Sequence, residues 1–352
     1  MKVAIVGCGS IAERYADCIR EHEPLTLVGV TDTISERAAA LAAAFDVRQY
    51  ESLAELLADE TVDLVVNLTV PEAHAPVTAA ALEAGKHVHS EKPIALRHEE
   101  ALELVELARR AGRRLSSSPA TLLGEAQQTA WKLVRDGAVG EVRVVYADAN
   151  WGRIESWHPS PQALYAVGPL VDVGVYPLTI LTAMFGPVRR VSAYGTTVEP
   201  ERVTLSGDTF ALSAPDFIVT VLELERVVAR LTTTFWVRHG RQRGMEFHGL
   251  DGRSLHLSNF QEFNALVELT SDGGETYASV PLLREPYPGT DWARPLVELA
   301  EAIDEGRAHR ASAEQAAHVV EVVEAIARSQ AYGGPVEVRS SFEPPPPLNW
   351  AS

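Results

Sequence analysis

Apolar positions in the first 120 residues fall in short unbroken runs, each followed by a stretch with helical period. Residues 3–7 (VAIVG), 25–32 (LTLVGVTD), 62–70 (VDLVVNLTV), 86–90 (KHVHS) and 113–118 (RRLSSS) read as strands. Residues 10–21, 34–45, 76–84 and 98–112 read as the helices between them, the first with Ser10 as N-cap and the third closed by Gly85. Strands without polar alternation are buried on both faces, and strict alternation with helices joins them in parallel. The expected fold over 1–120 is a doubly wound parallel sheet, an α/β dinucleotide-binding unit of the Rossmann kind.

After residue 120 the rhythm changes. Helical period covers 121–137 and 172–185, and strand patterns at 141–150, 188–198, 217–224, 227–237 and 245–257 follow with few helices between them. The last run holds Asp251-Gly252, a hairpin signal. This half is expected to be α+β, an open-faced, mainly antiparallel sheet spanning 121–340, with helices at 292–306 and 313–330. The end, FEPPPPLNW (342–350), reads as a polyproline-type tail over 341–352, either a strap on the surface or a segment whose Trp350 docks on a neighbouring subunit.

Composition narrows the partners. The chain has 352 residues and a formal net charge of −17, which argues against nucleic acid or an anionic membrane as a partner. No apolar run is expected to reach membrane-span length, and the start MKVAIVGCGS reads as a strand and not a signal peptide. Two cysteines, Cys8 and Cys18, rule out a disulfide framework and suit a reducing cytoplasm. The 11 histidines show no metal-ligand spacing, so no metal is expected.

Residues 7–12 (GCGSIA) follow a strand and open a helix, the context G-x-G-x-x-A needs. Gly7 permits the tight turn, and Gly9, with the Ser10 and Ile11 backbone, lets a pyrophosphate approach the helix N-terminus. Ala12 keeps that helix close to the sheet. Asp32, at the end of the second strand, is placed to bind adenosine ribose hydroxyls and would repel a 2′-phosphate, so NAD is favoured over NADP. Asp32 also fits the N-cap of the next helix, and Arg37 one turn on could soften the preference. Cys8 reads as a small, unreactive turn residue.

With this turn in place, VNLTVPEAHAPVTAAALEAGKHVHSEKPIAL (66–96) and GPLVDVGVYPL (168–178) closely resemble the glucose–fructose oxidoreductase / inositol dehydrogenase / rhizopine catabolism (Gfo/Idh/MocA) family over nearly the whole chain. The resemblance implies hydride transfer at a hydroxyl carbon of a sugar, cyclitol or related polyol. It makes Lys92 the active-site lysine beside the nicotinamide. Pro93 biases Lys92 towards an extended backbone, and a nearby positive ring would lower the lysine pKa. A cis bond before Pro93 is a family feature that sequence cannot show. Thr69, Pro71, His74, Glu91 and Lys92 are expected at the cofactor, with Glu91 positioning backbone or ribose.

Asp172 and Tyr176, four apart, are expected on one helix face. The family commonly has histidine at position 176. Tyrosine there matches the glucose–fructose oxidoreductase, xylose dehydrogenase and dihydrodiol dehydrogenase branch, where it is the proposed acid/base. Lys92 would be the cation a tyrosine needs near neutral pH. Val167-Gly168-Pro169 departs from the family's glycine run, and Pro177 should kink the helix unless it lies in a first turn.

Trp151, Arg153, Trp157 and His158 form an expected sugar-facing loop, with the wider loops 151–168 and 236–244 shaping the pocket; core packing is as good a reading. Arg238, His239, Arg241 and Arg243 read as a solvated turn, an anion contact or a subunit contact. A carbohydrate or polyol substrate is expected, with a homodimer or homotetramer formed through the open sheet face. Two alternatives share these residues: an NAD-dependent glycosidase that oxidises, eliminates and re-reduces, and a non-catalytic NAD sensor.

Overall fold

The computed structural model describes residues 1–270 and 276–352. The chain divides into two compact units, one of residues 1–120 with 291–320 and one of 121–290 with 321–352.

In the first unit, β1 (Lys2–Val6), α1 (Ala12–Arg20), β2 (Thr26–Thr31), α2 (Ser35–Phe45), β3 (Arg48–Gln49), α3 (Leu53–Ala58), β4 (Leu64–Asn67), α4 (Pro71–Glu83), β5 (His87–Ser90), α5 (His98–Ala111) and β6 (Leu115–Ser117) alternate along the chain. The six strands lie in the order β3-β2-β1-β4-β5-β6, with every pair parallel. This is the 3-2-1-4-5-6 doubly wound order expected from the buried strand runs. Val3, Ala4, Ile5, Leu64, Val65, Val66 and Val88 are fully buried, which is why these strands show no alternation.

Details differ from the sequence reading. Helix α1 is capped at Ile11 with no side-chain bond, so Ser10 is not an N-cap. Helix α4 starts at Pro71, five residues before the expected start, because proline with its fixed φ suits a first helical position. The short β3 and α3 carried no clear periodicity.

In the second unit, a 3₁₀ turn (Thr121–Leu123) and α6 (Glu125–Arg135) replace the single helix expected over 121–137. Then follow β7 (Val142–Asn150), α7 (Gln162–Pro169) and α8 (Val175–Phe185), with a π-helical turn (Leu170–Gly174) between the two helices. The remaining strands are β8 (Arg190–Thr196), β9 (Glu201–Val203), β10 (Thr209–Ala211), β11 (Phe217–Glu223), β12 (Val228–Thr234), β13 (Gly244–Gly249), β14 (Ser254–Leu257), β15 (Val267–Thr270) and β16 (Tyr277–Val280). Helix α9 (Arg294–Asp304) belongs to the first unit, α10 (Ala313–Tyr332) runs from the first unit into the second, and β17 (Val336–Glu337) closes the sheet edge.

The large sheet has nine strands in the order β16-β15-β14-β13-β7-β12-β11-β8-β17. It is antiparallel except for β7 with β12. The Asp251-Gly252 turn joins β13 to β14 as expected. One face is buried: Val145, Ala147, Leu222, Ala229, Leu231, Met245, Phe247, Leu255 and Leu257 all lie on it. The other face carries the cross-strand row Val221–Arg230–Tyr146–Glu246 and, beside it, Tyr194, which is 65% exposed.

Residues 151–168, expected as a loop, contain a 3₁₀ turn (Ile154–Ser156) and α7. The run Gln162–Phe185 is 24 residues long with a window of mean hydropathy 1.5, which corrects the expectation that no segment reaches span length. Its window is 72% buried in the fold, and Gly168 breaks it at φ +80°. The tail is a strap within the second unit. Leu348 N–H donates to Gln128 Oε1 (2.9 Å), Arg135 reaches the Ala351 carbonyl, and the Arg284 guanidinium sits 4.0 Å over the Trp350 ring. Trp350 is therefore held by its own chain.

Candidate active site

The glycine turn leaves β1 at its C-terminal end. Gly7 has φ +96°, and a Cβ there would lie 2.7 Å from the Leu68 backbone, so both conformation and space demand glycine. Gly9 differs. A Cβ there would meet nothing within 4 Å, so no protein neighbour explains the missing side chain. The N–H groups of Gly9, Ser10 and Ile11 make no hydrogen bond among the described residues and open onto the same helix N-terminus. Open space against free amides at a helix start fits a dinucleotide pyrophosphate.

Asp32 follows β2 on the same edge. One carboxylate oxygen accepts from Cys8 N–H (2.6 Å) and the other from Ile34 N–H (2.7 Å). The acid is thereby fixed to the glycine turn, with lone pairs to spare for ribose hydroxyls. It does not cap α2, whose N-cap is Ile34. Burial first, and the Asp32 charge second, push the Cys8 thiol up to about 12, so it stays protonated and unreactive.

Two further strand ends complete this edge. After β4, the Asn67 side chain accepts from Thr69 Oγ1 (2.6 Å) and donates to the His74 carbonyl (3.0 Å). His74 is buried, with Nδ1 2.7 Å from the Pro93 carbonyl and Nε2 3.0 Å from the Thr69 carbonyl. It ties the Thr69–Pro71 turn to the loop after β5. That loop carries Glu91, Lys92 and Pro93, with a cis Lys92–Pro93 bond.

The buried Glu91 carboxylate accepts from Tyr15 Oη–H (2.6 Å) and from Lys92 N–H (3.1 Å), so it positions the lysine backbone. Tyr15 also meets Ser118 Oγ (3.1 Å), which lies 3.2 Å from His89 Nε2, and His89 Nδ1 lies 2.8 Å from Ser116 Oγ. Asn67, Tyr15, His89 and Ser118 were not singled out from sequence. Asn67 and His89 carry a signal, a polar residue inside or ending an apolar run; Tyr15 and Ser118 carry none.

His89 is fully buried, and burial lowers its pKa to about 4. Serine hydroxyls can both donate and accept, so they satisfy the neutral ring. Its unfolded value is near 6.5, so between pH 6.5 and 4 the unfolded chain takes a proton that the folded chain refuses. Stability contributed by the neutral ring is full above pH 6.5 and falls as pH drops towards 4. We expect His89→Gln to flatten the fall in Tm over that window; a fall identical to that of the parent protein would refute the assignment.

In the second unit, Asp172 lies in the π turn and Tyr176 is the second residue of α8. They do not share one α-helical turn as expected. Pro177 cannot donate to the Val173 carbonyl, and the α register gives way to a wider turn just before it. Pro177 itself lies in the first turn of α8, where its missing N–H costs little. Tyr176 is buried, its ring centroid 6.2 Å from that of Phe260.

Of the expected sugar-facing loop, Trp151 and Trp157 are exposed and His158 is half-buried, its ring edge-on to Trp157. Arg153 instead pairs with buried Glu155 (2.7 Å) and stacks 5.2 Å from the Trp236 ring. Glu155 also accepts from Tyr165, and buried Arg202 pairs with buried Asp216 under Trp236. This buried network anchors the loop and was not legible from sequence.

A parallel 3-2-1-4-5-6 sheet whose strand ends carry a glycine turn, an aspartate and an ordered lysine loop defines a Rossmann-type dinucleotide-binding protein. Residues 1–118 match the family model "Oxidoreductase family, NAD-binding Rossmann fold", and residues 127–254 match "GFO/IDH/MocA C-terminal domain". The chain belongs to the Gfo/Idh/MocA family of NAD(P)-binding oxidoreductases.

It is similar to a dTDP-3,4-didehydro-2,6-dideoxy-alpha-D-glucose 3-reductase from Streptomyces antibioticus, 28% identical over 93% of this chain and 97% of that one. It is also similar to the D-glucoside 3-dehydrogenase of Escherichia coli (strain K12), 29% identical over 55% and 57%. The crystal structure of an aldose-aldose oxidoreductase from Caulobacter crescentus superposes with a TM-score of 0.83 at 23% identity, covering 96% of this chain and 99% of that chain. Among the described residues no cluster of His, Cys, Asp and Glu is arranged to hold a metal.

Proposed function

We propose that this protein is an NAD(H)-dependent oxidoreductase acting on a hydroxyl carbon of a sugar, cyclitol or related polyol. The observation that carries the reading is the Glu91-Lys92-Pro93 loop, with the lysine backbone fixed by a buried carboxylate at the same sheet edge as the glycine turn. The reductase and dehydrogenase names of the relatives favour net redox chemistry on sugars, and give the hydrolytic alternative no support.

A bound nicotinamide would supply the hydride acceptor or donor. In oxidation, Tyr176 takes the hydroxyl proton, Lys92 provides the positive charge that makes a phenolate accessible, and Asp172 orients the hydroxyl. Gly9, Ser10 and Ile11 would hold the pyrophosphate by backbone amides, and Asp32 would bind the ribose. Thr69, Pro71 and His74 shape the edge beside the lysine. Reduction runs the same path backwards. The test is nicotinamide absorbance with NAD and NADP against aldoses, inositols, alkyl glucosides, glucose 1-phosphate and dTDP-glucose; aglycone release without net NADH, or no turnover with any of them, would count against it.

Asp32 supports NAD over NADP, because a 2′-phosphate would face a carboxylate fixed by two amides. Asp32→Ser should lower kcat/KM for NAD by about 10–100-fold, the loss of one or two charged hydrogen bonds. The gap to NADP should narrow. An unchanged NAD/NADP ratio would remove Asp32 from cofactor selection.

The exposed sheet face, with Tyr146, Tyr194, Val221 and Val228, supports a homodimer or homotetramer covering it. Sedimentation as a monomer at micromolar concentration would exclude that assembly.

A further inference from the structure

Residues 238–243 place three arginines and a histidine in six positions of a chain with net charge −17. Arg238, Arg241 and Arg243 make no hydrogen bond or ion pair through their guanidinium groups among the described residues. Their loop is nonetheless held: Asn150 Nδ2 donates to the Gln242 carbonyl (3.1 Å), and the His256 ring meets the Arg243 carbonyl (2.9 Å). Gly152, at φ +77°, leaves room for Arg238, whose Cβ would be 2.7 Å from a side chain there. The turn is exposed to solvent throughout, but it is tied down at Gln242 and Arg243 and its guanidinium groups are unpaired among the described residues.

Arg238, His239 and Arg243 line a cavity of about 410 Å³ whose other walls include Trp151 and Phe260. That volume lies within the range of small-molecule sites, about 300–1,000 Å³. Two acids also border it. Asp148 is paired with Arg230, which leaves Glu262, exposed like the arginines, as the acid facing Arg238 and Arg243, so the lining keeps an excess of positive charge. Phe260 connects this cavity to the chemistry, because its other neighbour is the Tyr176 ring.

We propose that the cavity is a phosphoryl subsite, and that the substrate is a sugar carrying a phosphate or diphosphate away from its reacting carbon. This rests on the oxidoreductase reading above and narrows its substrate class. Guanidinium groups bind phosphate oxygens with paired, charge-assisted hydrogen bonds. Trp151 offers a flat face to a sugar or a base.

The experiment titrates the full-length protein by calorimetry with pyrophosphate, glucose, glucose 1-phosphate and dTDP-glucose, and repeats each with an Arg238→Gln/Arg243→Gln variant. The anionic probes should bind the parent protein and weaken on the order of 10–100-fold in the variant, with glucose unchanged. Tighter dTDP-glucose than glucose 1-phosphate would identify a nucleotide diphosphate sugar, and the reverse a sugar phosphate. No anion binding to the parent, or equal binding to the variant, overturns the proposal. So does a variant that keeps anion affinity but changes sedimentation, which would make the loop a subunit contact. Arginine-dependent anion binding with no turnover of any sugar would instead sink the oxidoreductase reading and leave the subsite standing.

Discussion

Tyr176→Phe should lower kcat by about 10²–10⁴-fold, the usual contribution of a positioned general acid/base. Phenylalanine keeps the ring that packs on Phe260 and removes only the hydroxyl, so the fold around α8 should not change. Lys92→Ala should lose turnover to a comparable degree. Both variants should still bind NAD, because the glycine turn and Asp32 are untouched. The two effects should not add if the groups act as one unit, so the double variant should be little worse than either single one. Single-turnover kinetics with NAD and the best substrate read this directly. A tyrosine variant within about tenfold of the parent would remove Tyr176 from proton transfer; loss of NAD binding with Lys92→Ala would make the lysine a cofactor residue only.

The glycine turn and Asp32 were legible because each depends on short-range geometry, and the Glu91-Lys92-Pro93 element through its resemblance to the family's motif. A glycine turn after a strand and an acid at the next strand end keep their meaning in a one-dimensional string. The long strands β7, β11 and β12 were legible for the same reason, since alternation survives without knowledge of partners. What was hidden depends on distant pairing. Helix period at 292–306 marks α9 but is silent on which unit it packs with. The π turn under Asp172 arises from Pro177 together with the need to keep a buried helix, and no spacing rule announces it. The resemblance made Glu91 a positioning residue, whereas its partner Tyr15 lies 76 positions earlier and no motif links the two.

The buried cluster around Arg202 is the extreme case. Nothing in Glu201-Arg202-Val203, an exposed-looking hairpin strand, marks an arginine that is fully buried. It pairs with Asp216, also fully buried, and packs 4.3 Å from Trp236 and 5.7 Å from Tyr165. Its Nε and Nη1 have no hydrogen-bond partner, but Nη1 lies 3.8 Å from buried Glu155 Oε1, and the two ring faces supply the remaining compensation.

Arg202→Met should therefore destabilise the protein by about 3–5 kcal/mol, because Asp216 would keep a buried charge answered, among the described residues, by the Val198 N–H alone (2.8 Å). Glu155 should suffer less, since Arg153 and Tyr165 still hold it. Arg202→Met with Asp216→Asn should recover a large part of the loss, as removing both charges leaves nothing uncompensated. Five of the six tryptophans lie in the second unit, so denaturation followed by tryptophan fluorescence reports on the right transition. A single variant costing less than about 1 kcal/mol would place the pair among weak surface-like bridges. A double variant no better than the single one would locate the loss in the packing of Trp236 and Tyr165 and not in the orphaned charge, and so would make Arg202 a spacer between two aromatic rings and not an ion-pair partner.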